Sequence, residues 1–246
     1  MNTSRQWIPK GDGKLLYEFL PEDTSRQTHS LREALRVLDG LSTDNGRITV
    51  LDLGCGTGES YDSFCQNSKV RWIGLDIPDS AEVMSRPSRN IPFCTYDGIR
   101  IPLRDKPVDI SYSRQVFEHV RHPELLINEV HRVLRPGAFF VGSTSHLEPF
   151  HSRSYWNYTP YGFCVLLRDV GFRLILVRPG IDSLTLIGRR GFSYLRLAGL
   201  FEPFFKVESP VNAFLEASLR LLGQTTKRRN AFKLLFSGQF CFLAQK

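Results

Sequence analysis

From residue 48 onward the chain alternates short, nearly continuous apolar runs with longer stretches of mixed polarity. The runs Ile48–Leu53, Val70–Leu75, Val108–Tyr112 and Ala138–Val141 have the length and two-sided apolarity of strands buried in a parallel sheet. Between them, residues 58–67, 79–86 and 122–134 are able to form helices. In the last of these Leu125, Leu126, Val130, Val133 and Leu134 share one face ahead of the breaker Arg135-Pro136-Gly137. Upstream, residues 28–38 space Leu31, Leu35 and Leu38 helically behind Thr28 or Ser30 as the cap. Downstream, the pattern predicts a helix over 160–170, a strand over 172–178 and a closing strand in GQFCFLAQK. Parallel neighbours need a crossover and the crossover is usually a helix, so the fold class is α/β.

The length of 246 residues supplies a sizeable core, and with 41% hydrophobic and 23% charged residues the composition is that of a folded globular protein. Five cysteines, at 55, 65, 94, 164 and 241, form no C-x-x-C pair, which points to a reducing compartment, the cytoplasm. The start MNTSRQWIPKGDGK has no apolar stretch behind its charges, so no secretory leader is expected, and no run reaches the length of a spanning helix.

Net charge is +7, and its placement says more than its size. Residues 1–188 hold 22 basic and 22 acidic side chains, whereas 189–246 hold ten against three. The excess lies in a stretch, about 188–236, where Leu195, Leu219, Leu221, Leu222, Leu234 and Leu235 predict helices inserted before the last strand. Two readings stand open for it: a solvated helix face, or a surface peripheral to an anionic membrane or polyanion.

The sharpest local signal is Val50 to Ser60, a buried strand running into the turn Gly54-Cys55-Gly56-Thr57-Gly58. Glycines let a backbone turn tightly and approach a ligand where a Cβ would clash. Eighteen residues beyond Gly58 the second strand ends in Asp76. A carboxylate at that tip can accept two hydrogen bonds from a ribose diol, which points to a nucleoside cofactor. The loop spells G-x-G-x-G, a poor match to the G-x-G-x-x-G/A that seats a dinucleotide pyrophosphate, so a nicotinamide oxidoreductase is the less favoured reading.

These motifs, in this order, resemble the class I S-adenosylmethionine-dependent methyltransferases, in particular the methyltransferase type 11 family. Asp52 to Gly58 is similar to the family's first motif, Gly74-Leu75-Asp76-Ile77 to its ribose-binding strand end, and Tyr96-Asp97-Gly98 to the loop whose acid meets the adenine amino group. Val108 to Ser113 resembles the fourth strand, Val116-Phe117-Glu118-His119-Val120 the helix start after it, and Glu129 to Phe140 a helix, Pro-Gly turn and fifth strand. The resemblance covers about residues 48–144. It implies a Rossmann-like seven-stranded, mostly parallel sheet with helices on both faces and an antiparallel last strand. It also implies a single methyltransferase domain over 1–246, with an N-terminal helical extension (1–46) and the basic insertion. The cofactor would be S-adenosylmethionine, held by Asp52, Gly54, Cys55, Gly56, Gly58, Asp76, Ile77, Asp97, Gly98 and Ser113.

Methyl transfer from a sulfonium requires in-line positioning and desolvation. For a hydroxyl acceptor, His119, His146 and His151 are the candidate bases, because their pKa values lie near working pH. His119 has the alternative of a cofactor-side or structural role, and His146 and His151 that of exposed loop residues. The segment His151 to Gly162 gathers Tyr155, Trp156 and Tyr158, a lining suited to a carbohydrate or aromatic acceptor or, alternatively, the anchors of a packed loop. It is similar to a Tyr-Trp-Arg-x-Thr stretch in methyltransferase-like proteins of sugar-modification pathways, with Asn157 where that pattern has Arg. Ser113-Arg114-Gln115-Val116 departs from the Asn/Asp-Pro-Pro-aromatic motif of the enzymes that methylate amide or exocyclic nitrogens, so an O-directed reaction on a small molecule or a sugar of a glycan or glycolipid is expected. Spacing shows no H-x-x-x-D or other metal constellation, with isolated carboxylates holding Mg2+ beside a sugar diol as the open alternative, and the neutral first 188 residues offer no basic groove for nucleic acid.

Overall fold

The computed structural model describes residues 16–23, 26, 30–41, 46–86, 91–195 and 207–246. Seven strands form one sheet: β1 Ile48–Leu53, β2 Val70–Asp76, β3 Phe93–Thr95, β4 Val108–Arg114, β5 Leu134–Ser145, β6 Arg173–Pro179 and β7 Gln239–Gln245. Their spatial order is β3-β2-β1-β4-β5-β7-β6. The first five are mutually parallel, and β7 runs antiparallel between β5 and β6. This is the Rossmann-like sheet with an antiparallel terminal strand that the pattern and the resemblance imply.

Register decides where chemistry can gather. Leu53 pairs with Leu75 on one side and Ser113 on the other, Ser113 pairs with Gly142, and Asp76 pairs with Thr95. The carboxyl ends of β1, β2, β3, β4 and β5 therefore lie along one edge, where ligands bind in open α/β sheets.

Alternate side chains of each strand feed two core layers. On one face Leu51, Leu53, Phe140, Phe240 and Phe242 pack with Phe117, Leu126, Val130 and Phe163. On the other, Val50, Trp72, Ile110, Tyr112 and Val141 pack with Ala34, Leu38 and Phe64. Helix α1 Leu31–Gly40 precedes β1, and the crossover helices are α2 Tyr61–Phe64, α3 Ala81–Met84, α4 Pro123–Val133 and α5 Pro160–Asp169.

Several sequence expectations shift. Ser30 is the N-cap of α1, although its hydroxyl donates to the Ser113 carbonyl rather than to the helix; Thr28 lies outside the described residues. The helix expected over 58–67 shrinks to one turn, because Gly58 at φ +86° cannot be helical and Ser60 is committed to Asp52. The helix expected over 79–86 is likewise only Ala81–Met84, closing before Pro87, a residue type that disfavours helical backbone ahead of it. Arg135-Pro136-Gly137 sits inside β5, where a register shift against β4 absorbs it. Strand β3 has no counterpart among the apolar runs; at three residues, half-buried to exposed, it is too short to show a period.

Beyond β6 come α6 Ser183–Tyr194, α7 Pro210–Leu221 and α8 Thr226–Leu235, each started by a side-chain cap from Asp182, Ser209 or Thr225. The expected helices exist, but of their leucines Leu234 is buried while Leu195, Leu221, Leu222 and Leu235 face solvent. Residues 196–206 of this stretch lie outside the described residues. Part of the basic charge is turned inward: Arg229 and Lys233 both pair with Glu216, and Lys227 pairs with Glu22. No helix among the described residues is long and apolar enough to cross a membrane.

Candidate functional site

β1 delivers the chain into the glycine turn, which is tied to the end of β2 by Gly54 N–H and Cys55 N–H donating to the Leu75 carbonyl at 2.7 and 3.2 Å. Gly54, at φ +70°, has no room for a side chain: a Cβ there would lie 2.2 Å from a Val116 methyl. At Gly58 (φ +86°) a Cβ would come 2.8 Å from the Phe93 ring. The turn is thus pressed between the chain after β4 and β3, and bare backbone faces the sheet edge.

Asp52 and Cys55 serve this turn from below. The Asp52 carboxylate is buried and accepts from Ser60 Oγ, which in turn accepts from Trp72 Nε1 at 3.0 Å. Burial pushes its pKa up to about 7. Cys55 is buried beside Gly74, and Arg86 Nη2 donates to its sulfur at 3.3 Å. The side chains of both are packed and hydrogen-bonded inside the fold, where they hold the loop. Ser113 is wholly buried, and its hydroxyl has no partner among the described residues.

At the tip of β2, Asp76 Oδ2 accepts from Gly56 N–H and Oδ1 from Ile77 N–H, both at 2.7 Å. Each oxygen keeps a further lone pair, so the carboxylate can still accept from two hydroxyls. Burial raises its pKa while the two amides oppose the rise. The loop after β3 joins this corner: Tyr96 N–H donates to the Asp76 carbonyl at 3.1 Å, and the Cα of Gly98 faces a methyl of Ile77, with room for 3.5 Å even from an added Cβ. Asp97 is exposed, and the amides of Ile99 and Arg100, at 2.9 and 2.7 Å, hold its pKa below the ordinary carboxylate range. Gly54, Gly56, Gly58, Asp76, Ile77, Asp97 and Gly98 therefore lie at the carboxyl ends of β1, β2 and β3. Spacing missed Arg86, whose Nε donates to the Gly56 carbonyl at 2.7 Å while its guanidinium lies 4.0 Å over the Phe93 ring.

The other half of the edge is built after β4. Gln115 adopts φ +54°, a costly backbone for a non-glycine residue, and turns the chain into the 3-10 turn Phe117–His119. Glu118 is wholly buried there. Its Oε2 accepts from Thr144 Oγ1 at 2.9 Å, and its backbone carbonyl accepts from the amides of Tyr155 and Trp156 at 2.7 and 3.2 Å, folding the loop after β5 onto this turn. Burial pushes the Glu118 pKa up to about 7. The rings of His119 and His151 meet edge to face with centroids 5.1 Å apart, and His151 Nδ1 lies 3.6 Å from a Glu148 carboxylate oxygen. Burial, and then the neighbouring His151, lower the His119 pKa.

His146 stands outside this pair: its Nδ1 meets the Tyr158 carbonyl at 2.9 Å, and burial lowers its pKa. Tyr158, expected among the substrate contacts, is instead a core residue whose hydroxyl donates to the Phe117 carbonyl at 3.0 Å and whose ring packs on Phe163. Tyr155 and Trp156 remain exposed, although Trp156 Nε1 also anchors the loop by donating to the Val120 carbonyl at 2.8 Å.

Residues 51–142 match the family model described as a methyltransferase domain. An uncharacterized methyltransferase of Mycobacteroides abscessus is 37% identical over 142 residues, covering 54% of this chain and 52% of that protein. One from Mycobacterium leprae is 39% identical over 110 residues, covering 43% and 40%. The chain thus spans about half the length of the curated relatives it matches. Among solved structures, a sarcosine dimethylglycine methyltransferase assignment from Galdieria sulphuraria superposes with a TM-score of 0.57 at 17% identity, covering 88% of this chain and 83% of that one. A methyltransferase assignment from Haloferax volcanii, solved with the Trm112 methyltransferase activator, gives 0.54 at 17% identity, covering 86% and 88%. At these identities the likeness is one of fold.

Proposed function

We propose that this chain, which belongs to the class I S-adenosylmethionine-dependent methyltransferases of the methyltransferase type 11-like family, transfers a methyl group from S-adenosylmethionine to a hydroxyl oxygen of a small molecule or of a sugar in a glycan or glycolipid. The observation that carries the donor assignment is the closure of the glycine turn onto Asp76 through the Gly56 N–H. It sets a bare backbone cradle beside a carboxylate with lone pairs to spare, which fits an aminoacyl chain next to a ribose. Ile77 and Gly98 would flank the base, with Asp97 at its polar edge. Bound there, the cofactor supplies an electrophilic methyl on a positively charged sulfur.

The chain's own residues then position and desolvate the acceptor. His119 and His151, both half-buried and close together, would take the hydroxyl proton on an imidazole nitrogen; the lowered pKa of His119 favours the neutral ring that can accept it. The exposed faces of Tyr155 and Trp156 suit the C–H face of a sugar ring. A dinucleotide is disfavoured by the one-turn helix Tyr61–Phe64 that follows the loop, too short to offer a pyrophosphate a helix N-terminus. A small-molecule acceptor needs no nucleic-acid surface, and none is proposed.

Calorimetry with S-adenosylmethionine, S-adenosylhomocysteine and NAD tests this reading. Binding of both sulfur nucleosides and not NAD supports it; absence of binding by the folded chain overturns it. A second role, peripheral contact of residues 189–246 with an anionic membrane, is favoured by the exposed side chains of Phe214 (71%) and Leu221 (88%) on α7 beside the basic α8. Salt-sensitive binding to anionic liposomes would support it, and no binding at low salt would remove it.

A further inference from the structure

We propose that Glu118, His119 and His151 form a binding site for one divalent transition-metal cation of the zinc type. One ligand atom from each, a carboxylate oxygen and two imidazole nitrogens, lies within 4.8 Å of the others. Two imidazoles with a carboxylate are a ligand set suited to zinc, and three protein ligands with an open fourth position are the pattern of zinc sites that do chemistry. Closing the three atoms to the ~3.3 Å that separates ligands around a tetrahedral ion would fall to the two half-buried imidazoles, since Thr144 already holds Glu118.

The surroundings support the assignment independently of the ligands. Metal-bound histidines commonly give their second ring nitrogen to a carbonyl or carboxylate, which orients the ring. The backbone of Arg153 faces His119, and a Glu148 carboxylate oxygen lies 3.6 Å from His151 Nδ1, beyond hydrogen-bond length but close enough to orient that ring. Charge points the same way. Glu118 is wholly buried, the Glu148 side chain is 9% exposed, and among the described residues no Lys or Arg pairs with either. Two buried carboxylates compensated only by hydroxyls, an amide and imidazoles are expensive; a cation between the imidazoles would offset that cost.

The ligands are joined by tertiary structure. Glu118 and His119 are adjacent in the turn after β4, and His151 arrives from the loop after β5, held by the hydrogen bonds from Tyr155 and Trp156 to the Glu118 carbonyl. His119 and His151 are half-buried, and the loop that brings His151 also carries the exposed Tyr155 and Trp156, so an open position would be reachable from solvent. The ion site is argued from the cluster's own geometry; in the metal-loaded chain His119 and His151 serve as ligands rather than bases, and the use of the open position to hold an acceptor oxygen rests on the methyl-transfer reading.

The test uses the full chain, stripped by dialysis against a chelator and titrated with CoCl2 while ligand-field absorption is followed. The expected result is one tetrahedral Co2+ per chain, displaced by one equivalent of Zn2+. Affinity should fall at least about a hundredfold in His119→Gln and in His151→Gln, fall about 10–100-fold in Glu148→Gln, and stay unchanged in His146→Gln. Circular dichroism checks that each variant is folded, and Glu148→Gln removes no ligand, so it reads the site even where a histidine variant fails to fold. The proposal is overturned by the absence of ligand-field bands in the folded parent, or by binding that survives both histidine substitutions. Thiolate-to-cobalt charge transfer would likewise overturn it, because that band would report the exposed Cys94 instead.

Discussion

Asp76 and Gly56 are joined by a 2.7 Å hydrogen bond from the backbone N–H of the turn to a carboxylate oxygen at the tip of the neighbouring strand. One side chain therefore shapes the glycine cradle and presents the acceptor lone pairs beside it. Asp76→Ala removes both roles. Hydrogen bonds to charged groups are each worth about 1.5–3 kcal/mol, so a loss of roughly 10–100-fold in affinity for S-adenosylhomocysteine is expected by calorimetry. An unchanged affinity in a folded variant would remove Asp76 from the donor site.

The Gly54 turn depends on Val116. Gly54→Ala places a Cβ against a branched side chain at 2.2 Å and at φ +70°, so a destabilisation of about 2–4 kcal/mol is expected in urea unfolding. Adding Val116→Ala opens the space but leaves the left-handed backbone, so the double variant should recover only part of the loss. Gly56→Ala, whose nearest neighbour would be 3.5 Å away, should cost only the backbone term, about 1–2 kcal/mol.

Burial raises the Asp52 pKa from the ordinary 3.8 to about 7. An acid with a raised folded pKa binds more protons folded than unfolded, so its contribution is fully present below pH 3.8 and is lost as pH rises through about 7. Asp52→Asn cannot ionise and should lose that decline. Between pH 5 and 7 the unfolding free energy of the variant is expected to gain on the parent by about 1.4 kcal/mol per pH unit. Parallel pH profiles for the two proteins would show that Asp52 does not titrate in this range.

Arg178 of β6 is buried, with Nε 2.7 Å from Glu33 of α1 and Nη2 2.8 Å from Asp23. It ties the described part of the N-terminal segment to the far edge of the sheet. Arg178→Met leaves Glu33 buried without this partner, and a loss of about 3–5 kcal/mol is expected by thermal or chemical unfolding. The double variant Arg178→Met/Glu33→Leu should be more stable than the single one, because it also removes the buried carboxylate that has lost its Arg178 partner.

Strands β1, β2 and β4 were legible in the chain because each is apolar on both faces and long enough to show it, and α4 because its apolar stripe repeats through three turns. Local pattern likewise marked the glycine turn and Asp76, since both roles attach to a residue type at a fixed place after a strand. It did not mark β3, whose three residues carry no period, nor Arg86, whose link to Gly56 runs over thirty positions.

What the sequence by itself determined was the α/β order, the glycine-turn and Asp76 motifs and the family they resemble, all of which depend on spacing along the chain. What only the tertiary structure decided was which way side chains face and which distant groups meet. Tyr158 and Trp156 are two positions apart in one aromatic loop, yet one ring is buried against Phe163 and the other is partly open to solvent. His151 reaches Glu118 and His119 only because the loop after β5 folds back onto the turn after β4. Burial and proximity arise from packing between segments, and a one-dimensional pattern carries no term for that packing.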